Sequence, residues 1–265
     1  MTSSSDWTVS PRIAVLGWGE AGSAIGSDLL AAGADVRAYD PRVVVPAAAH
    51  PRATEADAVR DADIVLSLNS AHDAATALGN SLSRLPSGTI WVDLNAAAPS
   101  LKVSLAAAAP ANPVVDVAIM APVPGKGLRV PMVASGDAAP KFATAMNALG
   151  ARVTVLDGPV GAASSRKLLR SVFYKGLAAA VVEALAGGRA AGCDQWLREN
   201  ISAELAAFDS NTIDRLVDGT HQHARRRSDE MAAAAQQLRD LGVEPRIADA
   251  AQRLLVSMVL ETTNS

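Results

Sequence analysis

Short apolar runs alternate with alanine-rich helical stretches along the chain up to residue 156. Most runs are continuously apolar, as expected of parallel strands that are covered on both faces. They predict strands at residues 13–16, 35–39, 64–68, 89–92, 114–117, 131–134 and 152–155. Strands that alternate with helices in this way predict a doubly wound, mainly parallel α/β sheet.

The strand signals stop after Gly161, and helical patterns take their place. These patterns cover residues 164–191, 194–208, 212–217, 221–241 and 245–259. Ser164 and Ser165 are candidate N-caps for the first of them, and Gly192 is its stop signal. The change predicts three segments: a flexible N-terminus at 1–10, an α/β domain at 11–160 and an all-helical domain at 161–265.

A glycine-rich motif follows the first predicted strand and opens the helix after it. It reads Gly17-Trp18-Gly19-Glu20-Ala21-Gly22. Gly17 permits the tight turn, Gly19 lets the backbone approach a pyrophosphate, and Gly22 lets the helix pack close to the sheet. The helix N-terminus directs its N–H groups at the anion. In this context the motif predicts a Rossmann domain that binds NAD or NADP. The alternative is a tight turn in a cofactor-free α/β protein.

The cofactor type depends on the residues after the second predicted strand. Asp40 suits the acid that binds the ribose 2′-hydroxyl, and its carboxylate would repel a 2′-phosphate, so NAD is favoured. Arg42 could instead hold that phosphate, which leaves NADP open. Leu68 ends the third predicted strand, Asn69 follows it and Asn95 follows the fourth, and all three are further candidate cofactor contacts.

Composition and charge narrow the class of protein. The net charge is −3 and the pI about 5.8, so no overall positive field attracts nucleic acid. The single cysteine, Cys193, excludes an internal disulfide and fits a reducing compartment. Neither a signal peptide nor an apolar segment of membrane-spanning length is recognised, so a cytoplasmic protein without a membrane partner is expected. His221 and His223 have no further His or Cys nearby, and no metal is expected.

The chain resembles the β-hydroxyacid dehydrogenase family, relatives of 6-phosphogluconate and 3-hydroxyisobutyrate dehydrogenases, over nearly its whole length. The motifs that carry the resemblance lie at residues 17–22, 93–99, 116 with 122–127, and 161–167. It is most similar to a subgroup whose C-terminal domain is described only as phosphogluconate-dehydrogenase-like. The resemblance implies hydride transfer between nicotinamide and a small polar, preferably acidic, substrate. It also implies a homodimer through the C-terminal domain, which agrees with the nearly all-round apolar segment 172–191.

The resemblance assigns Lys167 as the general acid/base, because Gly161 to Lys167 matches the family's glycine-rich entry to the interdomain helix. Lys167 would take the hydroxyl proton in oxidation and return it in reduction. Arg170, Ser171 and Tyr174 follow at helical spacing on the same face and are candidate substrate contacts. Four polar groups at the head of an apolar helix need a wet cleft or mutual partners, and a solvated face is the alternative.

Three departures from the family pattern affect the substrate. Asn95-Ala96 stands where the family has Ser-Thr, and Arg170-Ser171 where it has asparagine. Met120-Ala121-Pro122 replaces the Ser-Gly-Gly substrate loop. In the family these groups hold the carboxylate of a small hydroxy acid. Asn95 is expected to position the substrate or the nicotinamide ribose, and Met120 to contact the substrate.

A polar face in the last part of the chain is a further candidate. His223, either Arg226 or Arg227, and Glu230 recur at helical spacing, where the family presents a Lys-Asp pair to the active site. An arginine there could clamp a carboxylate or phosphate. A solvated helix face with internal salt bridges explains the same pattern equally well.

Two other functions remain open. Imine reductases resemble this family but usually carry Asp or Tyr at the position of Lys167, so the lysine favours alcohol and carbonyl chemistry. A non-catalytic NAD(H)-binding regulator is the alternative outside the enzymes. A regulator needs no acid/base, and Lys167 beside Arg170 argues mildly against it.

Overall fold

Seven strands form one sheet in the first part of the chain, as the apolar runs predict. The computed structural model describes residues 11–263, so the predicted flexible segment at 1–10 lies outside the described residues. The strands are β1 (Arg12–Leu16), β2 (Asp35–Tyr39), β3 (Ile64–Ser67), β4 (Ile90–Asp93), β5 (Val114–Ile119), β6 (Pro131–Ser135) and β7 (Arg152–Val155). Their order in the sheet is β2-β1-β3-β4-β5-β6-β7. All neighbours are parallel except β5 and β6, which are antiparallel. The predicted α/β Rossmann fold is confirmed.

Five helices cover the two faces of this sheet. They are α1 (Glu20–Ala31), α2 (Glu55–Val59), α3 (Ala74–Ser81), α4 (Pro99–Ala108) and α5 (Ala139–Ala148). Successive side chains of a strand point to opposite faces. Ile13 of β1 accordingly belongs to the same core cluster as Leu29 of α1 and Phe142 of α5, whereas Leu16 belongs to the cluster of Leu78 and Leu105 on the other face. Burial on both faces explains why the strands read as continuous apolar runs.

The remaining helices are α6 (Ala162–Ala190), α7 (Asp194–Ala206), α8 (Thr212–Asp240) and α9 (Arg246–Thr263). By packing, the chain divides into two compact units, one ending at Arg170 and the other beginning at Ser171. The division therefore lies within α6, whereas the predicted domain boundary at residues 160/161 lies just before it. The domain boundary at 160/161 stays a prediction.

Within the second unit, polar contacts join the helices. The Glu183 carboxylate of α6 accepts the backbone N–H groups of Ile247 (2.8 Å) and Ala248 (2.9 Å), which caps the start of α9. Arg239 of α8 binds both carboxylate oxygens of Asp249 at 2.7 Å. Among residues 11–263, none of the helices combines the length and apolar character that crossing a membrane requires.

Two details of the helical prediction are wrong. Ser164 and Ser165 are not N-caps, because α6 begins at Ala162 and its first N–H groups find acceptors on the sheet. The patterns at 212–217 and 221–241 are one helix, α8, with a kink at His223 (φ −121°, ψ 21°). The predicted stop signal at Gly192 is correct. Gly192 adopts φ +73°, and the N–H of Cys193 donates to the carbonyl of Gly188 at 2.8 Å, an arrangement that is common where a glycine ends a helix.

Candidate functional site

The loop between β1 and α1 needs two of its glycines for its own shape. Gly17 adopts φ +103°, and a Cβ there would lie 2.5 Å from the carbonyl oxygen of Leu68. A Cβ on Gly22 would collide with the carbonyl of Gly17. Both positions therefore admit only glycine, as the motif predicts.

Gly19 differs from these two glycines. It is the N-cap of α1 at φ −69°, without a side-chain cap, and a Cβ there would meet no atom within 4 Å. The protein itself does not require a glycine at this position. A glycine beside open space at a helix N-terminus is what a backbone-bound pyrophosphate requires. The loop therefore fits a dinucleotide.

The Asp40 carboxylate connects the end of β2 to this loop. Its Oδ2 accepts the backbone N–H of Trp18 at 2.6 Å, and its Oδ1 accepts those of Arg42 (2.8 Å) and Val43 (2.9 Å). Partial burial raises the pKa of Asp40, but these hydrogen bonds and the Arg42 charge lower it more, so the pKa lies below its ordinary value. Asp40 is therefore an ionised acceptor.

A cleft of about 620 Å³ opens beside the loop, at the carboxyl ends of β1 to β3. Its lining includes Gly17, Gly19, Asp40, Arg42, Leu68 and Asn69, all of which the sequence predicts as cofactor contacts. Glu55 and Asp73, which sequence reasoning missed, also line the cleft. Arg42 pairs with Asp73 at 3.2 Å. The carboxylates in the cleft outnumber the single guanidinium, so a 2′-phosphate meets more repulsion than attraction.

The other residues of the glycine motif contribute through the backbone or the core. The Trp18 side chain is buried and lies against Gly26 of α1, where a Cβ would collide with its ring. Glu20 is exposed in the first turn of α1, and Ala21 packs against the core. The side chain of Trp18 is therefore part of the core, although its N–H orients Asp40.

A polar cluster lies beside the cleft at the ends of β3 and β4. The side-chain amide of Asn95 donates to Asn69 Oδ1 (2.8 Å), Asp93 Oδ2 (2.9 Å) and Ser67 Oγ (3.2 Å). Asn95 is 7% exposed. Because these hydrogen bonds fix the orientation of its side-chain amide, Asn95 can meet a bound group in one defined orientation.

Beneath Asn95 lies a buried ion cluster that sequence reasoning missed. Lys102 of α4 is fully buried, and its ammonium contacts the carboxylates of Asp93 and Asp116. Its Nζ also donates to the backbone carbonyls of Asp93 (3.0 Å) and Asn95 (2.8 Å). The signal was available, because Asp93 and Asp116 lie in strands that are otherwise apolar, and a buried carboxylate needs a cationic or donor partner.

The predicted acid/base and its neighbours lie near the start of α6. Lys167 is half-buried, and Arg170 is exposed. Arg170 Nη1 donates to the backbone carbonyl of Met120 at 3.3 Å, so two predicted substrate contacts touch each other. Ser171 and Tyr174 belong to the second unit, where the Tyr174 ring stacks edge-on against Phe173 with centroids 5.1 Å apart.

The polar face of α8 pairs internally. Arg226 binds Glu230, and both side chains are more than half exposed. Arg227 Nη1 donates to Thr220 Oγ1 at 2.5 Å, and His223 lies at the helix kink. This pairing favours the solvated face over the substrate clamp. Within residues 11–263, no three His, Cys, Asp or Glu side chains cluster as metal ligands do.

Comparison with family models gives two matches. A model described as the NAD binding domain of 6-phosphogluconate dehydrogenase matches residues 12–157. A second, described as a domain of unknown function (DUF1932), matches residues 189–258. No curated protein sequence matches the chain.

Several solved structures resemble the chain along most of its length. A conserved hypothetical protein from Sinorhizobium meliloti 1021 is 29% identical, with 94% of this chain and 88% of that chain covered and a TM-score of 0.62. Conserved protein MTH1747, of unknown function and structurally similar to 3-hydroxyacid dehydrogenases, is 25% identical, with 93% and 96% covered and a TM-score of 0.60. The V8 variant of an imine reductase from Myxococcus stipitatus, in complex with NAD+, is 21% identical, with 96% and 95% covered and a TM-score of 0.75.

Proposed function

Because this chain belongs to the family of NAD-binding domains of 6-phosphogluconate dehydrogenase, we propose that it is an NAD(P)-dependent dehydrogenase or reductase acting on CH–OH groups. The observation that supports the proposal most is Gly19, a glycine that the fold does not need, beside a cleft lined by Asp40 and Asn69. When bound, the nicotinamide supplies or accepts the hydride. The substrate is a small polar molecule, and Arg170 favours an acidic one.

In this proposal, different residues of the first unit bind different parts of the cofactor. Backbone N–H groups at the start of α1 hold the pyrophosphate. The ionised Asp40 carboxylate accepts a ribose hydroxyl, which favours NAD over NADP. Asn95, fixed by Asn69, Asp93 and Ser67, orients the nicotinamide ribose or the substrate.

Lys167 moves the proton in this proposal. In oxidation, its neutral amine takes the substrate hydroxyl proton while the hydride leaves the same carbon, so the C–OH group becomes a carbonyl. In reduction, the ammonium returns the proton to the developing alkoxide. Arg170 and Met120, which touch at 3.3 Å, are the substrate contacts beside it in the first unit. Ser171, Tyr174 and His223 are weaker candidates for the same role.

Imine reduction on the same scaffold is the second candidate. The imine reductase from Myxococcus stipitatus shares the fold with this chain, and its reaction differs in the bond that accepts the hydride. Lys167 favours the carbonyl, because the sequence pattern of imine reductases usually has Asp or Tyr there. A non-catalytic NAD(H)-binding regulator remains the candidate outside the enzymes.

A homodimer is part of the proposal. The second unit exposes the large apolar side chains of Val172 (74%), Val182 (67%), Trp196 (64%) and Ile213 (70%), and exposed apolar surface is what a protein–protein interface would cover. A second copy of the chain is the proposed cover. A cytoplasmic location remains an expectation from the single cysteine.

A substrate screen tests the function. The purified chain is assayed with NAD and with NADP against β-hydroxy acids, sugar acids and their phosphates, and with cyclic imines in the reducing direction. Oxidation of a hydroxy acid that disappears in Lys167→Ala and persists in Lys141→Ala, an exposed lysine of α5, is the expected result. Turnover of imines alone would favour the second candidate. Tight cofactor binding without turnover of any compound would favour the regulator.

A further inference from the structure

The ion cluster around Lys102 is completely enclosed, so it cannot itself meet a substrate. Lys102, Asp93 and Asp116 are each 0% exposed. The Nζ of Lys102 lies 3.3 Å from Asp116 Oδ1, in addition to its contacts with Asp93 and the Asn95 carbonyl. Every proton of the ammonium thus has an oxygen acceptor. A buried ion cluster contributes little net stability relative to an apolar replacement, but it fixes the direction of each group in it.

Asp116 joins this cluster to the start of α6. Its Oδ1 accepts the Ser164 hydroxyl at 2.6 Å and its Oδ2 accepts the Ser164 backbone N–H at 2.8 Å. Ser135 Oγ accepts the N–H of Ala163 at 3.0 Å. A carboxylate at a helix N-terminus also interacts favourably with the helix dipole. The first turn of α6 is therefore attached to β5 by two charge-assisted bonds to Asp116, which are stronger than neutral ones, and to the end of β6 by a neutral bond to Ser135.

Asp93 joins the same cluster to the cofactor cleft. Its Oδ2 accepts the Asn95 amide at 2.9 Å, and that amide also donates to Asn69 Oδ1 at 2.8 Å. Asn69 lines the cleft. An unbroken series of polar contacts therefore runs from Asn69 through Asn95, Asp93, Lys102 and Asp116 to Ser164.

We propose that Lys102 and Asp116 are positioning residues, which hold the first turn of α6 in register with the Asn69–Asn95 cluster at the cofactor cleft. Lys167 stands one turn after Ser164 on the same helix, so the direction of that first turn decides where its ammonium lies. The inference rests on the proposed function, in which Lys167 is the acid/base. A displacement of about 1 Å in such a group can lower a rate about 100-fold.

The test interrupts this series of polar contacts by the substitution that disturbs the ion cluster least. Ser164→Ala removes the hydroxyl bond to Asp116 and leaves the ion cluster intact, whereas Asp116→Asn removes a charge from it. Ser81→Ala is the matched control, because Ser81 is also fully buried and its hydroxyl donates to the carbonyl of Ala77 in its own helix (2.7 Å). Each variant of the 265-residue chain is measured by hydrogen exchange of the amides at 162–167, by NADH affinity, and by kcat and KM.

In Ser164→Ala, exchange at 162–167 is expected to accelerate about tenfold, the effect of losing one such hydrogen bond. The value of kcat falls about tenfold or more, while NADH affinity and the control variant stay at wild-type values. Asp116→Asn gives larger changes of the same kind. If Asp116→Asn does not fold, Ser164→Ala alone decides.

Unchanged exchange at 162–167 in Ser164→Ala would overturn the positioning link, even in an active enzyme. Faster exchange with wild-type kcat would overturn it as well, because the series would then be only structural. A wild-type protein that turns over no compound in the screen would instead overturn the proposed function and, with it, the catalytic role of the series. The exchange measurement separates these two failures, because it does not depend on turnover.

Discussion

The Asp40 carboxylate accepts the backbone N–H of Trp18 at 2.6 Å, which joins the end of β2 to the glycine loop. This bond holds the carboxylate beside the cleft and helps to keep it ionised. The same group therefore fixes the loop and sets the charge that a cofactor ribose meets. Glu55 and Asp73 add negative charge to the cleft, and Arg42 is engaged by Asp73.

The first prediction concerns cofactor preference. NADH is expected to bind more tightly than NADPH, because the cleft repels a 2′-phosphate. Asp40→Asn should reduce that preference, whereas Asp63→Asn, a carboxylate that accepts the Arg12 N–H at 2.8 Å, should not. Titration of nucleotide fluorescence measures both affinities. Tenfold tighter binding of NADPH to the wild-type protein, about 1.4 kcal/mol, would contradict the assignment.

The second prediction separates two glycines of one motif. Gly17→Ala should destabilise the fold by about 1–3 kcal/mol, because φ is +103° and the Leu68 carbonyl blocks a Cβ. Gly19→Ala should cost less than about 1 kcal/mol of stability, the effect of alanine at an N-cap. It should weaken NADH binding about tenfold or more, because the Cβ occupies space that the pyrophosphate needs. Gly79→Ala, an open helical position in α3, is the control for both. Equal effects of Gly17→Ala and Gly19→Ala on NADH affinity at full stability would refute this distinction.

The third prediction concerns the stability of the buried cluster. Lys102→Met should lower the free energy of unfolding by about 3–5 kcal/mol, since it leaves Asp93 and Asp116 buried without their cation. Adding Asp116→Asn should recover part of that loss, because one carboxylate becomes neutral. Urea unfolding measures the difference, with Lys141→Met as the exposed control. A loss below about 1 kcal/mol in Lys102→Met would mean that water reaches the cluster.

Most of the fold could be predicted from local sequence patterns. The strands and the glycine loop follow from short apolar runs and from backbone requirements that act within a few residues, as at Gly17. The ion cluster of Lys102 was not predicted, because its partners Asp93 and Asp116 come from two different strands and no local sequence pattern links them to Lys102. The N-cap prediction at Ser164 failed for the same reason: the Asp116 carboxylate of β5 accepts the backbone N–H of Ser164, and the serine hydroxyl is itself a donor to it. The sequence patterns predicted two helices at 212–217 and 221–241, yet a single helix continues through a kink at His223.

The fourth prediction is the oligomeric state. A mass of two chains is expected by light scattering at micromolar protein, because the second unit exposes Val172 and Val182 together with other large apolar side chains. Val182→Glu should shift the mass to one chain, since a charge on that face opposes burial. Val103→Glu, at an exposed position on α4 in the first unit, should not. A monomeric wild-type protein would show that the exposed face has another role.

The last prediction concerns Lys167. If Lys167 transfers the proton, Lys167→Ala should lower kcat about 10²–10⁴-fold, the usual size of a general acid–base contribution. NADH affinity should barely change, because the glycine loop and Asp40 remain intact. Lys167→Arg should be nearly as damaging, since a guanidinium does not deprotonate near neutral pH and cannot accept the hydroxyl proton.

Arg170→Ala should mainly raise KM, if Arg170 holds an acidic group of the substrate. The deciding result is the arginine variant at Lys167, because it keeps the positive charge and removes only the proton exchange. A Lys167→Arg enzyme that retains most of its turnover would make Lys167 an electrostatic anchor. The base would then have to be sought at Tyr174 or His223, beginning with Tyr174→Phe, which keeps the ring and removes the hydroxyl.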